Sequence, residues 1–582
     1  MSTEPHPHFR PRMRAVAGLG ITFAAGVAVL AGCATAGADA TEASTEPTQT
    51  SAETRPENVQ AIIDENSDQT VVKDDEWSAD DAQDVALTGD GVEADAGGVS
   101  ASDGTVTISE AGVYRLSGEL DGSIVIDAAD DAQVVVILDG ATISAEGGPA
   151  ISSIAADDVA IHLADGSHNT VSSTGTYDED ADANAAIYAD NDLTISGTGA
   201  LTVNGEANDG ITSKDDLVVL DGAISVTAAD DGLRGKDSLT VRGGDITVGA
   251  GGDGLTSDQD EDETKGWTLI EGGTLDITAS SDGIDGFTDV VITDGEVTIS
   301  SDEGLEAGSI GITGGTIDIT ATDDGINGSD GSTDSSTTDT AGGASDGSGE
   351  SAEPSEEATD SSSGTAAAAT NAEDEAAAPG GAAQGTRPEP PTDGEMPGGG
   401  QRPSGELPTD GDMPQRGGGM GGEMADTGEW VLIEGGEVTI DAGGDGLDSN
   451  GSLDISGGRV VVSGPANAGN GALDVSGTLT TSGGTLVAFD SGGMSQAPSA
   501  DSEQAWVAAS AAGEAGQSVE VTDANGAVIW QGDAAKAFGA VIVSTPDVAI
   551  GGTYTAVVDG TESAAATAGE AIAGGMGGGP RG

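Results

Sequence analysis

Aromatic and basic side chains are both scarce: 14 of the 582 residues are Phe, Trp or Tyr, and 17 Lys and Arg face 103 Asp and Glu. A formal net charge of -86 excludes a nucleic-acid binder, because phosphate contacts require clustered Lys and Arg. A single cysteine, Cys33, excludes an intrachain disulfide. No window carries a helical apolar stripe, and there is no Gly-Ser nucleophile elbow, phosphate-cradling loop or Cys/His metal cluster. Between Gly331 and Gly428 the only branched apolar residue is Leu407, with no Ile, Val or Phe, too little to offset chain entropy. Averaged over its length, this is the composition of a disordered polyanion. The apolar residues that exist, however, are gathered in short alternating runs.

At the N-terminus Arg10, Arg12 and Arg14 precede an uncharged segment that runs into Leu30-Ala31-Gly32-Cys33. A basic n-region, an apolar h-region and small residues at the cleavage site read as a signal peptide over 1–32. The tetrapeptide resembles the lipobox of bacterial lipoproteins, which makes Cys33 the lipidation site. The expected location is extracytoplasmic, lipid-anchored to the bacterial membrane at the cell surface. Residues 33–98, rich in Ala, Thr, Glu and Asp, read as a flexible tether.

The phrase Asp-Gly-Ile/Leu then recurs at Asp209, Asp231, Asp253, Asp282, Asp324 and Asp445, with Glu303-Gly304-Leu305 as a variant. Most steps are 21 or 22 residues; one is 29 and one is 121. Between phrases lie strands such as Thr274-Leu275-Asp276-Ile277-Thr278, which put Leu275 and Ile277 on one face. A unit of 21 to 22 residues with two or three such strands cannot bury its inner face alone, and stacking identical coils buries it. The expected fold is all-β: a parallel β-helix, a solenoid of about 21–22 residues per coil, with a small C-terminal β cap. The boundaries are 99–330 for the first coils, 331–428 for a disordered low-complexity insertion and 429–500 for the last coils. Residues 501–560 form the C-terminal β module and 561–582 a Gly-rich tail. The insertion interrupts a repeat, because Trp430 to Gly436 restates Trp267 to Gly273 almost letter for letter.

Stacked in register, Asp209, Asp231, Asp253, Asp282, Glu303 and Asp324 form one acidic column. Spacing suggests a second through Asp215, Asp237, Asp258, Asp285 and Glu306. Carboxylates about 4.8 Å apart repel by about 3.5 kcal/mol at an effective dielectric of 20. Two compensations are available: Ca²⁺, which takes six to eight oxygens, and the basic residues Lys214, Lys236 and Arg234. A plainer role is also open, in which each Asp fixes a turn while its Gly takes a positive φ.

The segments Tyr114 to Gly118, Val134 to Gly140 and Gly166 to Val171, together with Asp209 to Leu217 and Asp231 to Leu239, resemble a family of bacterial surface proteins called carbohydrate-binding domain-containing. Ala540 to Pro546 and Gly551 to Tyr554 are similar to that family's terminal module. The resemblance implies a right-handed parallel β-helix like that of pectate lyases, bound Ca²⁺, and binding of plant-type polysaccharides such as cellulose and pectin. Sugar rings are usually covered by aromatic faces, and Trp267 and Trp430 are the candidates.

A β-helical lyase needs Ca²⁺ on the substrate carboxylate and an Arg or Lys base. Lys214, Arg234, Lys236 and Arg242 could serve, yet their repetition from coil to coil is that of charge balance, and catalysis needs one unique constellation. His162 and His168 read as structural. The expectation is a lipid-anchored, calcium-dependent, non-catalytic polysaccharide binder for plant-type or acidic glycans, monomeric. The alternatives are a structural or adhesive envelope rod and a pectate-type lyase.

Overall fold

The computed structural model describes residues 56–572 except 74, 95, 178–180, 182, 330–426 and 495. Cys33, the signal segment, almost all of the expected insertion and the end of the Gly-rich tail lie outside the described residues.

Period-two runs leave each strand with one apolar edge, and three parallel ladders cover those edges. In the first, Val203, Val226, Val248, Ile277, Ile299, Ile319, Ile440 and Val462 stack in register. The second stacks Ile187, Ile211, Leu233, Leu255, Ile284, Leu305, Ile326, Leu447 and Leu473. The third runs through Leu193, Leu217, Leu239, Thr268, Val290, Ile310, Val431, Leu453 and Leu479. All these side chains are buried, each apolar one worth about 1.5–3 kcal/mol of transfer free energy. The result is one very long, mostly parallel sheet in an all-β chain, compatible with a β-helix or solenoid. Ile310 pairs with Val431 and Ile319 with Ile440, so the ladders continue in the same register across the 121-residue step.

Antiparallel strands follow the last coil. Thr485–Asp490 pairs with Phe538–Ser544, which also pairs with Trp506–Gly513. Beyond them lies a five-stranded sheet built on Ser518–Asp523 and Thr553–Val558. Phe489 meets Trp530 and Phe538 edge to face at 5.7 and 5.1 Å, giving this end its own core.

Two expectations change. Pairing starts before residue 99, since Gln83–Gly89 is parallel to Gly112–Asp121 with Val85 and Leu87 buried. The span read as a tether holds helix α1, Val59–Glu65, capped by the Asn58 side chain. Its Val59 and Ile62 pack on Trp267, Leu269, Val291 and Leu432, the outer side of the third ladder. From α1 the chain runs back toward the first coils. Ser67 N–H donates to Thr264 O (2.9 Å), Thr70 N–H to Asp216 Oδ2 (2.7 Å) and Val72 N–H to Thr194 Oγ1 (3.0 Å), and Trp77 sits edge-on to His162 at 4.8 Å. Residues 56–82 are therefore a strap across one face, held by a few apolar anchors in an otherwise polar segment.

The Asp-Gly glycines differ from expectation as well. Gly210, Gly232, Gly254, Gly283, Gly304 and Gly325 have no positive φ; that conformation belongs to later turn glycines such as Gly295 (φ 116°). Lack of room explains them instead. A Cβ on Gly283 would stand 2.3 Å from Ile299 Cγ2 and 2.7 Å from Gly304 O.

Candidate functional site

The second ladder starts at the Asp-Gly phrases, and its register stacks their acids. Asp282 pairs with Glu303. The N–H of Gly210 donates to Asp231 O, that of Gly232 to Asp253 O, that of Gly254 to Asp282 O and that of Gly304 to Asp324 O, all at 2.8–3.0 Å. The first expected column thus forms. One carboxylate oxygen of several members also staples the next coil: Asp231 Oδ1 accepts from Asp253 N (3.0 Å), Asp253 Oδ1 from Asp282 N (3.0 Å) and Asp324 Oδ1 from Asp445 N (2.5 Å). Asp209, where this run of Asp-Gly phrases begins, is fully buried and accepts from Thr212 Oγ1 (2.9 Å) and Asn184 Nδ2 (3.2 Å).

The second column is composed differently from the spacing estimate. Pairing places Thr212, Arg234, Thr256, Asp285, Glu306, Asn327 and Asp448 in one row, each three residues after the acid of its Asp-Gly or Glu-Gly phrase, and Asp474 continues that row. Asp215 and Asp237 lie further on, at the corner toward the third ladder, where Asp237 N–H donates to Asp215 O (3.1 Å) and Lys265 Nζ bonds Asp237 Oδ2. Asp258 is an ion-pair partner of Arg234. Its ladder neighbour is Lys236, which follows Lys214 in the preceding coil. Asp285 and Glu306 therefore do not share a column with Asp215, Asp237 and Asp258.

The basic and aromatic candidates are similarly engaged. Arg234 reaches both Asp258 and, at 3.9 Å, Asp209, so its charge is taken up by the acids around it. Lys214 and Lys236 are half-buried in the same row as Asp258. Trp267 is only 4% exposed under α1, and Trp430 packs against the same cluster. Trp267 lies beneath the strap helix and Trp430 is half-buried beside it, so both serve as packing residues of this cluster. His162 pairs with Ser196 Oγ through Nδ1 at 3.0 Å.

Between the first two columns the acids crowd. Carboxylate oxygens of Asp282, Glu303 and Glu306 lie within 4.8 Å of one another. Burial, then repulsion from Asp253, Glu306, Glu303 and Asp285, pushes the Asp282 carboxyl up to about 9. Burial and Glu306 raise Glu303 to about 7, and burial holds Asp285 well above the carboxylate range, Thr256 Oγ1 donating to it at 2.8 Å. A second acidic group brings Asp324 of the expected column together with Asp445 and Asp448 from beyond the insertion, of which Asp448 was absent from the sequence expectation. Burial first and neighbouring acids second raise Asp324 to about 8, Asp448 to about 7 and Asp445 to about 6. The recurrence of Asp-Gly-Leu-Asp at 445–448 is the signal that marks it. An all-oxygen donor set with this spacing fits a hard cation such as Ca²⁺ and suits no soft metal.

The face over the first ladder is open. Ser225, Thr247, Asp276, Thr298 and Asp318 are exposed and in one row, with Thr274, Glu296 and Thr316 beside them. These are flat, regularly spaced hydroxyls and carboxylates, one set per coil, about 4.8 Å apart.

A family profile described as "Carbohydrate-binding domain-containing protein" matches residues 102–347. A protein of that name from Acetivibrio thermocellus is 38% identical over 222 residues, which is 37% of this chain and 78% of the relative. A solved polysaccharide lyase-like protein from C. thermocellum, a gadolinium derivative, is 35% identical, with 41% of this chain and 96% of that chain covered and a TM-score of 0.38. On this likeness, the chain belongs to the carbohydrate-binding domain-containing protein family.

Proposed function

We propose that the protein is a lipid-anchored, cell-surface binder of plant-type or acidic polysaccharides, that its contact with the glycan depends on calcium, and that its coils are right-handed. The observation that carries this reading is the open Thr/Asp/Ser face of the first ladder adjoining the Asp282–Glu303–Glu306 group. A surface this acidic repels an acidic glycan, and a divalent ion shared between protein and uronate carboxylates reverses the sign of the contact. A binding role rather than a catalytic one is favoured by the engagement of Arg234 with Asp258 and Asp209, which takes up the charge of that candidate base. The relatives' names also point to binding.

Retention on insoluble polygalacturonate and on cellulose, measured with calcium and with chelator, tests the reading. Calcium-dependent retention is expected. Failure to bind any polysaccharide in calcium refutes it, and release of unsaturated uronates would establish a lyase instead. Cys33→Ala should move the protein from the membrane fraction to the soluble one. A variant that stays with the membrane removes lipid anchoring at Cys33 from the proposal.

A further inference from the structure

The strap does not seal against the third ladder. Between them lies a cleft of about 470 Å³, lined by Ile63, Asn66, Gln69 and Lys73 of the strap and by Arg242 and Trp267 of the coils. This volume is within the range of small-ligand sites. Trp267 Nε1, Asn66 Oδ1 and Gln69 Oε1 are all buried without a hydrogen-bond partner, and all three belong to residues lining this one cleft. A buried donor or acceptor left without a partner is destabilising, and a ligand that satisfies it recovers that loss. A donor and two acceptors left over in one seam are what a ligand bearing several hydroxyls satisfies. Two of the nine described Lys and Arg residues, Lys73 and Arg242, are at this cleft, against one acid of its lining, Asp68; Arg242 pairs through Nε with Glu271 at 2.9 Å, and Lys73 is exposed.

We infer that this cleft is a second saccharide site, which takes a short, carboxylate-bearing sugar unit. Leu269, Val291 and Ile63 supply an apolar wall for the ring, Trp267 N–H and the two side-chain amides address its hydroxyls, and Lys73, with the guanidinium edge of Arg242 that Glu271 does not take, attracts its carboxylate. Entry requires rotation of Asn66 and Gln69, both only half-buried. The strap side of the lining lies outside the 102–347 span that matches the family profile, whereas Arg242, Trp267, Leu269 and Val291 lie within it. The site rests on the polysaccharide-binding reading, but it uses neither the acidic columns nor calcium.

The test is titration of the full chain with digalacturonate in excess chelator, followed by calorimetry and indole fluorescence, with cellobiose as the neutral comparison. Saturable binding of digalacturonate with altered tryptophan emission is expected, cellobiose binding at least tenfold more weakly. Trp267→Phe, which keeps a ring but removes the N–H, and Gln69→Leu on the strap should each weaken binding about tenfold while melting like the parent. The site is refuted by absence of digalacturonate binding at millimolar concentration, by equal affinity for cellobiose, or by unchanged affinity in both variants. Calcium-dependent retention on polygalacturonate is scored separately. Its loss with digalacturonate binding intact sinks the extended-face reading alone, and the converse sinks the cleft alone.

Discussion

In chelator, the melting temperature should fall as pH rises from 5 to 8.5, and millimolar calcium should restore it, far more at pH 8.5 than at pH 5. The direction follows from linkage. Asp282, Asp324, Asp231, Glu303 and Asp448 have proton affinities raised to about 9, 8, 7, 7 and 7 by burial and by one another. Unfolded carboxyls titrate near 4, so between about pH 4 and 9 the folded chain holds more protons than the unfolded one. Stability must then decline with pH through that window. The decline amounts to several kcal/mol, because each tenfold change in proton affinity is about 1.4 kcal/mol. Calcium replaces those protons, and one site filled to a hundred times its dissociation constant contributes about 2.7 kcal/mol, or roughly 3 °C for a folded chain of this size. Asp282→Asn gives the sharper version. It should raise the chelated protein's melting temperature at pH 8.5, by removing a carboxyl that must take up a proton on folding, while abolishing most of the calcium response. A melting temperature that rises with pH in chelator, or an equal calcium shift at both pH values, would falsify the crowded-carboxylate account.

Gly283→Ala should be among the most damaging single-methyl additions possible in this chain. The new Cβ meets backbone oxygen and a buried isoleucine at once, and neither can retreat, since Gly304 O already lies in the ladder and Ile299 is packed between its neighbours in the first ladder. Overpacking of this kind costs typically 1–3 kcal/mol and sometimes more. About 3 kcal/mol or above is expected, read as a lowered denaturation midpoint. Gly140→Ala is the control: it has a positive φ of 77° but nothing within 4 Å of its added Cβ. Strain alone should cost it about 1–2 kcal/mol. If both variants melt alike, backbone conformation and not inter-coil clearance is what the Asp-Gly glycines supply.

The ladders were legible because period-two alternation and a coil-length repeat are both local signals. Leu275 and Ile277 announce an inward face, and the Trp430 to Gly436 echo of Trp267 to Gly273 announces re-entry into register. The acidic column was legible for the same reason. The second column was not, because residues were matched at unequal offsets from the phrase. Asp215 and Asp237 are six residues beyond their acids, Asp258 is five and Asp285 is three, whereas backbone pairing fixes one offset for all coils. The 29-residue step hides the break, since its extra residues 260–265 sit between Gln259 and Gly266, which bond to the preceding coil through Lys236 O and Asp237 O. The strap escaped for a different reason. A seven-residue helix is too short to be stable alone or to show a clear stripe, and Val59, Ile62, Val72 and Trp77 matter only because coils far along the chain present places for them.

The direction of that strap has a mechanical consequence. Its described N-terminal end lies beside Leu432 and Glu434, whereas its C-terminal end joins the coils at Gln83. A pull applied from the N-terminal side therefore loads its attachments in sequence: α1 first, then Ser67, Thr70, Val72 and Trp77. Contacts that yield one at a time peel at lower force than contacts sheared together. The coils behind them keep their ladders until the strap is spent, so among the described residues the strap is the extensible element and the stack of coils the stiff one.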